Sequence, residues 1–271
     1  MTSTPVQQRT HRTRDDILAA LGWSGMAATF ALPVICESLA RESSGEAGGN
    51  ALLVRLSLGV VVAAIILLAL GWRRVVRGIG NRGLATIASI AGLQFAVSYA
   101  ARLIGSIFGA ILGPLYVFVD GLGSKGLSCL FLGVLVALLP RPGPLTLSLI
   151  TLFVLNVITS GQVSLIALVF VAISVALHES IAALFGVTTG RPPSSTSDAV
   201  DWSFVIRGGL AIGLANALAM YAQYALYEAL LRLFFDEWYK LAVSLVTGLI
   251  YGGVGAGCGI ILGLRLRRIS P

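Results

Sequence analysis

Two glutamates stand inside apolar stretches of the chain, where an ionised side chain is costly. Glu179 follows His178 in the run from Val163 to Val187, and Glu228 lies in the run from Phe204 to Phe235. Inside a membrane such groups face the interior of a helix bundle or a cavity, and they commonly contact ions or ligands. Both carboxylates are therefore candidate partners for a small cationic ligand.

Aromatic and neutral polar side chains accompany these carboxylates. Tyr221, Tyr224 and Glu228 are three and four residues apart and share one face of a helix. A tyrosine ring can stack on a flat ligand or attract a cation to its face. The predicted ligand-binding set is Glu179, Glu228, Tyr221, Tyr224, Asn156, His178, Tyr116 and Asp120.

A structural interpretation of the same residues stays open. Glu179 would then pair with Lys125 or with His178, and each charge would be neutralised within the protein. The tyrosines would form a belt at the membrane interface, where their rings are amphipathic. This interpretation predicts no pocket.

Motifs that would indicate an enzyme are weak. Gly121-Leu-Gly123-Ser-Lys-Gly126 matches GxGxxG, but no predicted strand precedes it. The chain lacks a GxxxxGK(S/T) phosphate loop and has 2 histidines, which leaves no ATP site and no histidine-rich metal site. We therefore predict a protein that is not an enzyme and that itself binds neither metal nor cofactor.

Composition indicates that these residues are positioned by membrane helices. The 271 residues are 56% hydrophobic and 11% charged, whereas a soluble domain has about 25% charged residues. The surface must therefore contact lipid. The basic residues lie in short runs between apolar stretches, which indicates membrane topology and excludes a nucleic-acid surface.

A membrane span needs about 20 apolar residues, and the chain predicts about eight such helices in an all-α integral membrane protein. The predicted spans are Ile17–Leu39, Ala51–Trp72, Leu84–Ile104, Pro114–Leu139, Leu145–Ser160, Val163–Val187, Phe204–Phe235 and Leu241–Leu264. Whether the stretch from Gly105 to Pro114 is re-entrant stays open.

The arginines predict the orientation of these spans. Cytoplasmic segments are enriched in arginine and lysine. Placing both termini in the cytoplasm puts most of the arginines inside, namely Arg9, Arg12, Arg14, Arg73, Arg74, Arg77, Arg82, Arg141, Arg191, Arg207, Arg265, Arg267 and Arg268. The predicted units are a basic tail (1–16), a two-helix extension (17–82) and a six-helix core (83–271).

Small residues recur every four positions on the first helix of the core. Ala88, Gly92, Ala96 and Ala100 form one stripe. Small side chains let helix backbones approach closely in lipid. The stripe therefore indicates either packing within the bundle or a face on which another membrane subunit docks.

The six-helix core resembles the substrate-binding S components of energy-coupling factor (ECF) transporters, in particular the YkoE-like group linked to thiamine and its hydroxymethylpyrimidine precursor. The similar residues are Gly113-Pro-Leu-Tyr116, the run into Pro140-Arg-Pro-Gly143, Ala176-Leu-His-Glu179-Ser and Tyr251-Gly-Gly-Val-Gly-Ala-Gly. The resemblance covers about two thirds of the chain, from Gly83 to Arg268.

The resemblance implies a function and partners. The core would capture a small, vitamin-like heteroaromatic ligand at the plasma (inner) membrane of a prokaryote. A transmembrane coupling subunit would dock on the stripe from Ala88 to Ala100, and separate ATPase subunits would use ATP. The two N-terminal helices depart from a minimal S component, and their role stays open.

Two other functions remain open. One is a membrane scaffold subunit that does not transport and uses its small-residue faces to bind a partner. The other is an intramembrane serine protease, because Gly22-Trp-Ser24-Gly25 resembles the GxSG turn of rhomboid proteases and His178 could serve as base.

Overall fold

The computed structural model describes residues 78–101, 105, 107–109, 111–162, 164–188, 200–231 and 233–269. The basic tail, both helices of the predicted extension and parts of the stretch from Gly105 to Pro114 lie outside the described residues. Within that described part the chain is all-α and contains no strand. The predicted helical class is confirmed to that extent.

Six principal helices follow the predicted core spans. They are α1 (Gly78–Ala101), α2 (Tyr116–Leu138), α3 (Pro144–Ser160), α4 (Leu165–Leu184), α5 (Trp202–Leu231) and α6 (Glu237–Arg268). Five of them are long and apolar enough to cross a membrane, and α3 is shorter at 17 residues. The described part is therefore that of a multi-pass membrane protein whose helices contact lipid.

Glycine and proline determine the ends of α3. Pro144 occupies the first turn, where its missing N–H is no loss. Gly143 before it has a φ of 106°, and Gly161 after the helix has a φ of 66°. Both conformations favour glycine because it has no Cβ. They allow tight connections to α2 and α4, so consecutive helices run antiparallel.

Helix α6 lies between α2 and α5, and glycines on its surface bring the backbones together. A Cβ on Gly259 would overlap the carbonyl oxygen of Leu130 on α2, and one on Gly248 would overlap Ala217 on α5. The small residues of α6 therefore serve packing within the bundle. The apolar core on both sides of α6 includes buried Leu132, Ile212 and Ile260.

The two ends of the bundle differ in charge. At one end the Arg141 guanidinium donates a 2.7 Å hydrogen bond to the carbonyl of Gly78. This arginine end also holds Arg82, Arg207, Arg265, Arg267 and Arg268. At the opposite end, α5 turns into α6 through the acidic residues Asp236 and Glu237. We call this the acidic end.

Candidate functional site

Glu179 lies at the arginine end, where its carboxylate accepts hydrogen bonds at the N-terminus of α3. The backbone N–H of Gly143 donates to Oε1. The N–H and the hydroxyl of Thr146 both donate to Oε2, each at 3.3 Å. Only 1% of Glu179 is exposed. An anion at a helix N-terminus is stabilised by the unpaired N–H groups and by the helix dipole, so this carboxylate connects α4 to α3.

His178, the neighbour of Glu179, is also buried. Its Nδ1 lies 2.8 Å from the backbone oxygen of Ser174, one turn earlier on α4. Ser24, the proposed nucleophile of the protease hypothesis, lies outside the described residues. A catalytic pairing of Ser24 with His178 therefore stays a prediction.

Glu228 lies at the acidic end, next to a lysine of the same chain. Its carboxylate forms a 2.8 Å salt bridge with the Lys240 ammonium and accepts a 3.1 Å hydrogen bond from the Phe235 backbone N–H. Lys240 also contacts Glu237 at 2.5 Å. Lys240 thus fills the position that sequence reasoning gave to a cationic ligand.

The two predicted tyrosines extend this cluster in different directions. The Tyr221 hydroxyl donates a 3.1 Å hydrogen bond to Glu237, and Lys240 lies 5.9 Å from the centre of the Tyr221 ring. Tyr224 packs edge to face on Phe235, with ring centres 5.0 Å apart. These aromatic contacts close the turn between α5 and α6.

Helix α5 ends earlier than the hydropathy predicts. The predicted span ran to Phe235, whereas the helix ends at Leu231 and residues 233–236 are not helical. Glu228 explains the difference, because it accepts a hydrogen bond from the Phe235 N–H in the turn. Phe234 lies in the turn and is 92% exposed.

Tyr116 and Asp120 form a third, local pair at the start of α2. The Tyr116 hydroxyl donates to an Asp120 carboxylate oxygen at 3.1 Å. The Ser124 hydroxyl lies 3.0 Å from the other carboxylate oxygen. Bonds between residues one turn apart rigidify the beginning of the helix.

The predicted site residues do not converge on one pocket. Ile181 packs in the same apolar cluster as Phe204 at the start of α5, and Glu228 lies 24 residues further along that helix. At 1.5 Å per residue this is about 36 Å. The two carboxylates therefore lie at opposite ends of the bundle, and their individual roles in ligand binding stay predictions.

A polar cleft of about 80 Å³ opens between α1, α2 and α3. Asn156, a predicted site residue, lines it from α3 and donates a 2.8 Å hydrogen bond to the Leu152 carbonyl. Ser98 of α1 and Ser128 of α2 meet across the cleft with their hydroxyls 3.2 Å apart. Phe95 and Tyr99 form part of the wall.

Of the cleft residues, only Asn156 was identified from the sequence, and Gln94 is the most informative of those that were missed. It is 2% exposed, and its side-chain oxygen has no hydrogen-bond partner within the described part of the chain. A buried amide oxygen without a partner costs free energy, so such groups are rare. The signal in the sequence was an uncharged amide inside an apolar helix. It indicates a binding site less strongly than a carboxylate does, because a neutral group is less costly to bury.

The predicted docking stripe occupies an open face of α1. Ala88, Ala96 and Ala100 are exposed, and a Cβ added to Gly92 would have no neighbour within 4 Å. The opposite face of α1 carries buried Ile87, Ala91 and Gln94. Within the described residues the stripe therefore takes no part in packing, and its docking role stays a prediction.

The described residues hold no group of three or more His, Cys, Asp or Glu side chains arranged to bind a metal. No family model, curated protein or solved structure matches this chain. Function must therefore be inferred from the sequence and from the geometry of the cleft and the open α1 face.

Proposed function

We propose that this chain is the substrate-capture membrane subunit of a small-molecule importer of the ECF type in a prokaryotic plasma membrane. The observation that carries the proposal is that Gln94, whose buried side-chain oxygen has no partner among the described residues, lines the same cleft as Asn156. A site that binds a small ligand offers a concave surface and a few convergent polar groups. The cleft between α1, α2 and α3 has both.

The position of the cleft agrees with capture from outside. Cytoplasmic ends of membrane proteins are enriched in arginine, so the arginine end faces the cytoplasm and both termini lie inside in this proposal. Gln94 lies in the second half of α1, and Asn156 lies in the second half of α3. Both helices run away from the arginine end, so the cleft lies in the outer half in this proposed orientation.

The open stripe on α1 supports a partner subunit. In the proposed assembly, a transmembrane coupling protein packs against Ala88, Gly92, Ala96 and Ala100, and separate ATPases supply the energy. An added Cβ on Gly92 would meet no atom of the described residues within 4 Å, and the stripe's alanines are exposed. Small residues of this kind permit the close backbone approach that drives association in lipid.

Native mass spectrometry of the protein purified from its host in mild detergent tests ligand capture. We expect a retained small molecule in the wild type and its loss from Gln94→Leu. Gln223→Leu is the control, because Gln223 lies on α5 and donates to Tyr227 instead of lining the cleft. An empty wild-type protein would contradict the proposal.

The same preparation tests the docking face. Gly92→Leu adds a bulky side chain where a Cβ would meet none of the described residues, so we expect the subunit to fold but to lose its partner. Val254→Leu on the exposed face of α6 is the control and should keep the partner. Association that survives Gly92→Leu would contradict docking at the stripe.

The scaffold function is the second candidate, and one observation favours it. Glu228 is matched by Lys240 inside the protein, as a subunit without a charged ligand would require. A protein that purifies empty but bound to an unrelated membrane partner would establish this alternative.

A further inference from the structure

We propose that the cleft selects an uncharged, planar ligand of about one ring that donates a hydrogen bond to the side-chain oxygen of Gln94. This inference rests on the proposed capture function and specifies the ligand class. It departs from the sequence-based expectation of a cationic ligand held by Glu179 and Glu228.

The hydrogen-bonding state of Gln94 favours a ligand that donates a hydrogen bond. Gln94 is 2% exposed, and its side-chain oxygen has no donor within the described part of the chain. An amide oxygen is an acceptor only. A ligand that carries an N–H or O–H group completes this missing bond, whereas a ligand without a donor leaves the oxygen unpaired.

None of the described residues that line the cleft carries a formal charge. The lining consists of Gln94, Phe95, Ser98, Tyr99, Ser128, Leu152 and Asn156. Burying an ion without a counter-charge is far more costly than burying a neutral polar group.

The shape of the cleft favours a flat ligand. Phe95 and Tyr99 lie one turn apart on α1 with ring centres 6.1 Å apart and ring planes inclined by 28°. Aromatic walls of this kind favour flat ligands. The cleft of about 80 Å³ is several times larger than the roughly 10–15 Å³ that one water needs. It suits a single ring better than a chain.

Four ring compounds of similar size test separately the effects of the ligand's hydrogen-bond donor and of its charge. 2-Pyridone is neutral and has an N–H donor, and N-methyl-2-pyridone is neutral without one. N-methylpyridinium is a cation, and nicotinate is an anion. Binding of each to the full-length protein in lipid nanodiscs is measured by saturation-transfer NMR with titration. We expect 2-pyridone to bind about tenfold more tightly than the N-methyl compound and both ions to bind more weakly still.

Substitutions at Gln94 test whether this residue makes the selection. Gln94→Leu should remove the advantage of 2-pyridone, so that the two neutral rings bind alike, and Gln223→Leu should keep it. Gln94→Glu should admit N-methylpyridinium by supplying a counter-charge. A gain of cation binding cannot result from unfolding, so this variant keeps the test valid if Gln94→Leu folds poorly.

Three outcomes would overturn the inference. They are equal binding of the two neutral rings to the wild type, a preference of the wild type for either ion, and no saturable binding of any ring. A small molecule that co-purifies while all four rings fail would leave the capture function standing and remove only the ligand class. A preparation that purifies empty while 2-pyridone binds selectively would contradict the capture function and retain the selectivity of the cleft.

Discussion

The carboxylate sites and the cleft differ in whether their polar groups have partners within the described structure. Glu179 accepts hydrogen bonds from the first turn of α3, and Glu228 forms a salt bridge with Lys240. The cleft, by contrast, contains an uncharged amide whose oxygen has no partner in the described structure. The charged residues that stand out in the sequence have partners within the protein, whereas the neutral Gln94 oxygen is available for the proposed ligand.

The contrast follows from the cost of burial. A buried charge without a partner costs so much that the fold must supply one. A neutral amide oxygen costs about 1–3 kcal/mol when it is unsatisfied, which a stable bundle tolerates. An unpaired neutral group is therefore a better indicator of a ligand site than a paired charge in this molecule.

The largest effect should follow from removing Lys240. Lys240→Met leaves the Glu228 carboxylate without its counter-ion, and the side chains of the two residues are 4% and 11% exposed. We expect the free energy of unfolding in detergent to fall by about 3 kcal/mol. Denaturant titration monitored by circular dichroism measures this loss.

The double variant Lys240→Met with Glu228→Gln is the control for that experiment. It removes both charges, so most of the lost stability should return. The cleft should still hold its ligand, because neither residue lines it. A double variant that folds but binds no ligand would break the comparison and restore Glu228 as a ligand partner.

A smaller loss is expected from Glu179→Leu. The substitution removes the acceptor for the N–H groups of Gly143 and Thr146, and we expect a loss of about 2 kcal/mol. Hydrogen exchange measured by mass spectrometry should show faster exchange at the start of α3.

Thr146→Val is the matched partner of Glu179→Leu. It removes one side-chain hydrogen bond and keeps both backbone bonds, so about 1 kcal/mol should be lost. Unchanged exchange at the start of α3 in Glu179→Leu would show that this carboxylate does not stabilise the helix end, and its ligand role would regain support.

Gln94→Met should change stability in the other direction. Methionine has a similar size and no buried acceptor, so the free energy of unfolding should rise by up to about 1 kcal/mol while ligand binding is lost. The same denaturant titration compares Gln94→Met with Gln223→Met, which loses the 2.6 Å bond to Tyr227. A marked loss of stability in Gln94→Met would mean that Gln94 has a structural partner.

Much of the fold was predictable from local sequence. The lengths of the apolar runs located all six described helices, and the breaker from Pro140 to Pro144 marked the connection between α2 and α3. The arginines share one end of the described bundle, as their alternation along the chain predicts. Each of these features depends on neighbours in the sequence.

The partners of the polar groups were not predictable in the same way. Glu179 contacts Gly143, which is 36 residues earlier in the chain, so the contact depends on how α3 and α4 pack. Gln94 becomes unusual only when α2 and α3 enclose it without supplying a donor. Asn156 was identified, since it is polar within an apolar run, but its neighbours were not.

The smallest effect should come from Glu237→Gln, and it tests whether burial or charge makes the acidic end stable. Glu237 contacts the same ammonium as Glu228, but its side chain is 72% exposed. Water and salt screen an exposed pair, so we expect a loss below about 1 kcal/mol that disappears at high salt. The comparison is Glu228→Gln in the same titration, whose loss should be larger and insensitive to salt. Equal losses would mean that Lys240 depends on both carboxylates alike, and the acidic end would then be a charge network open to an external cation.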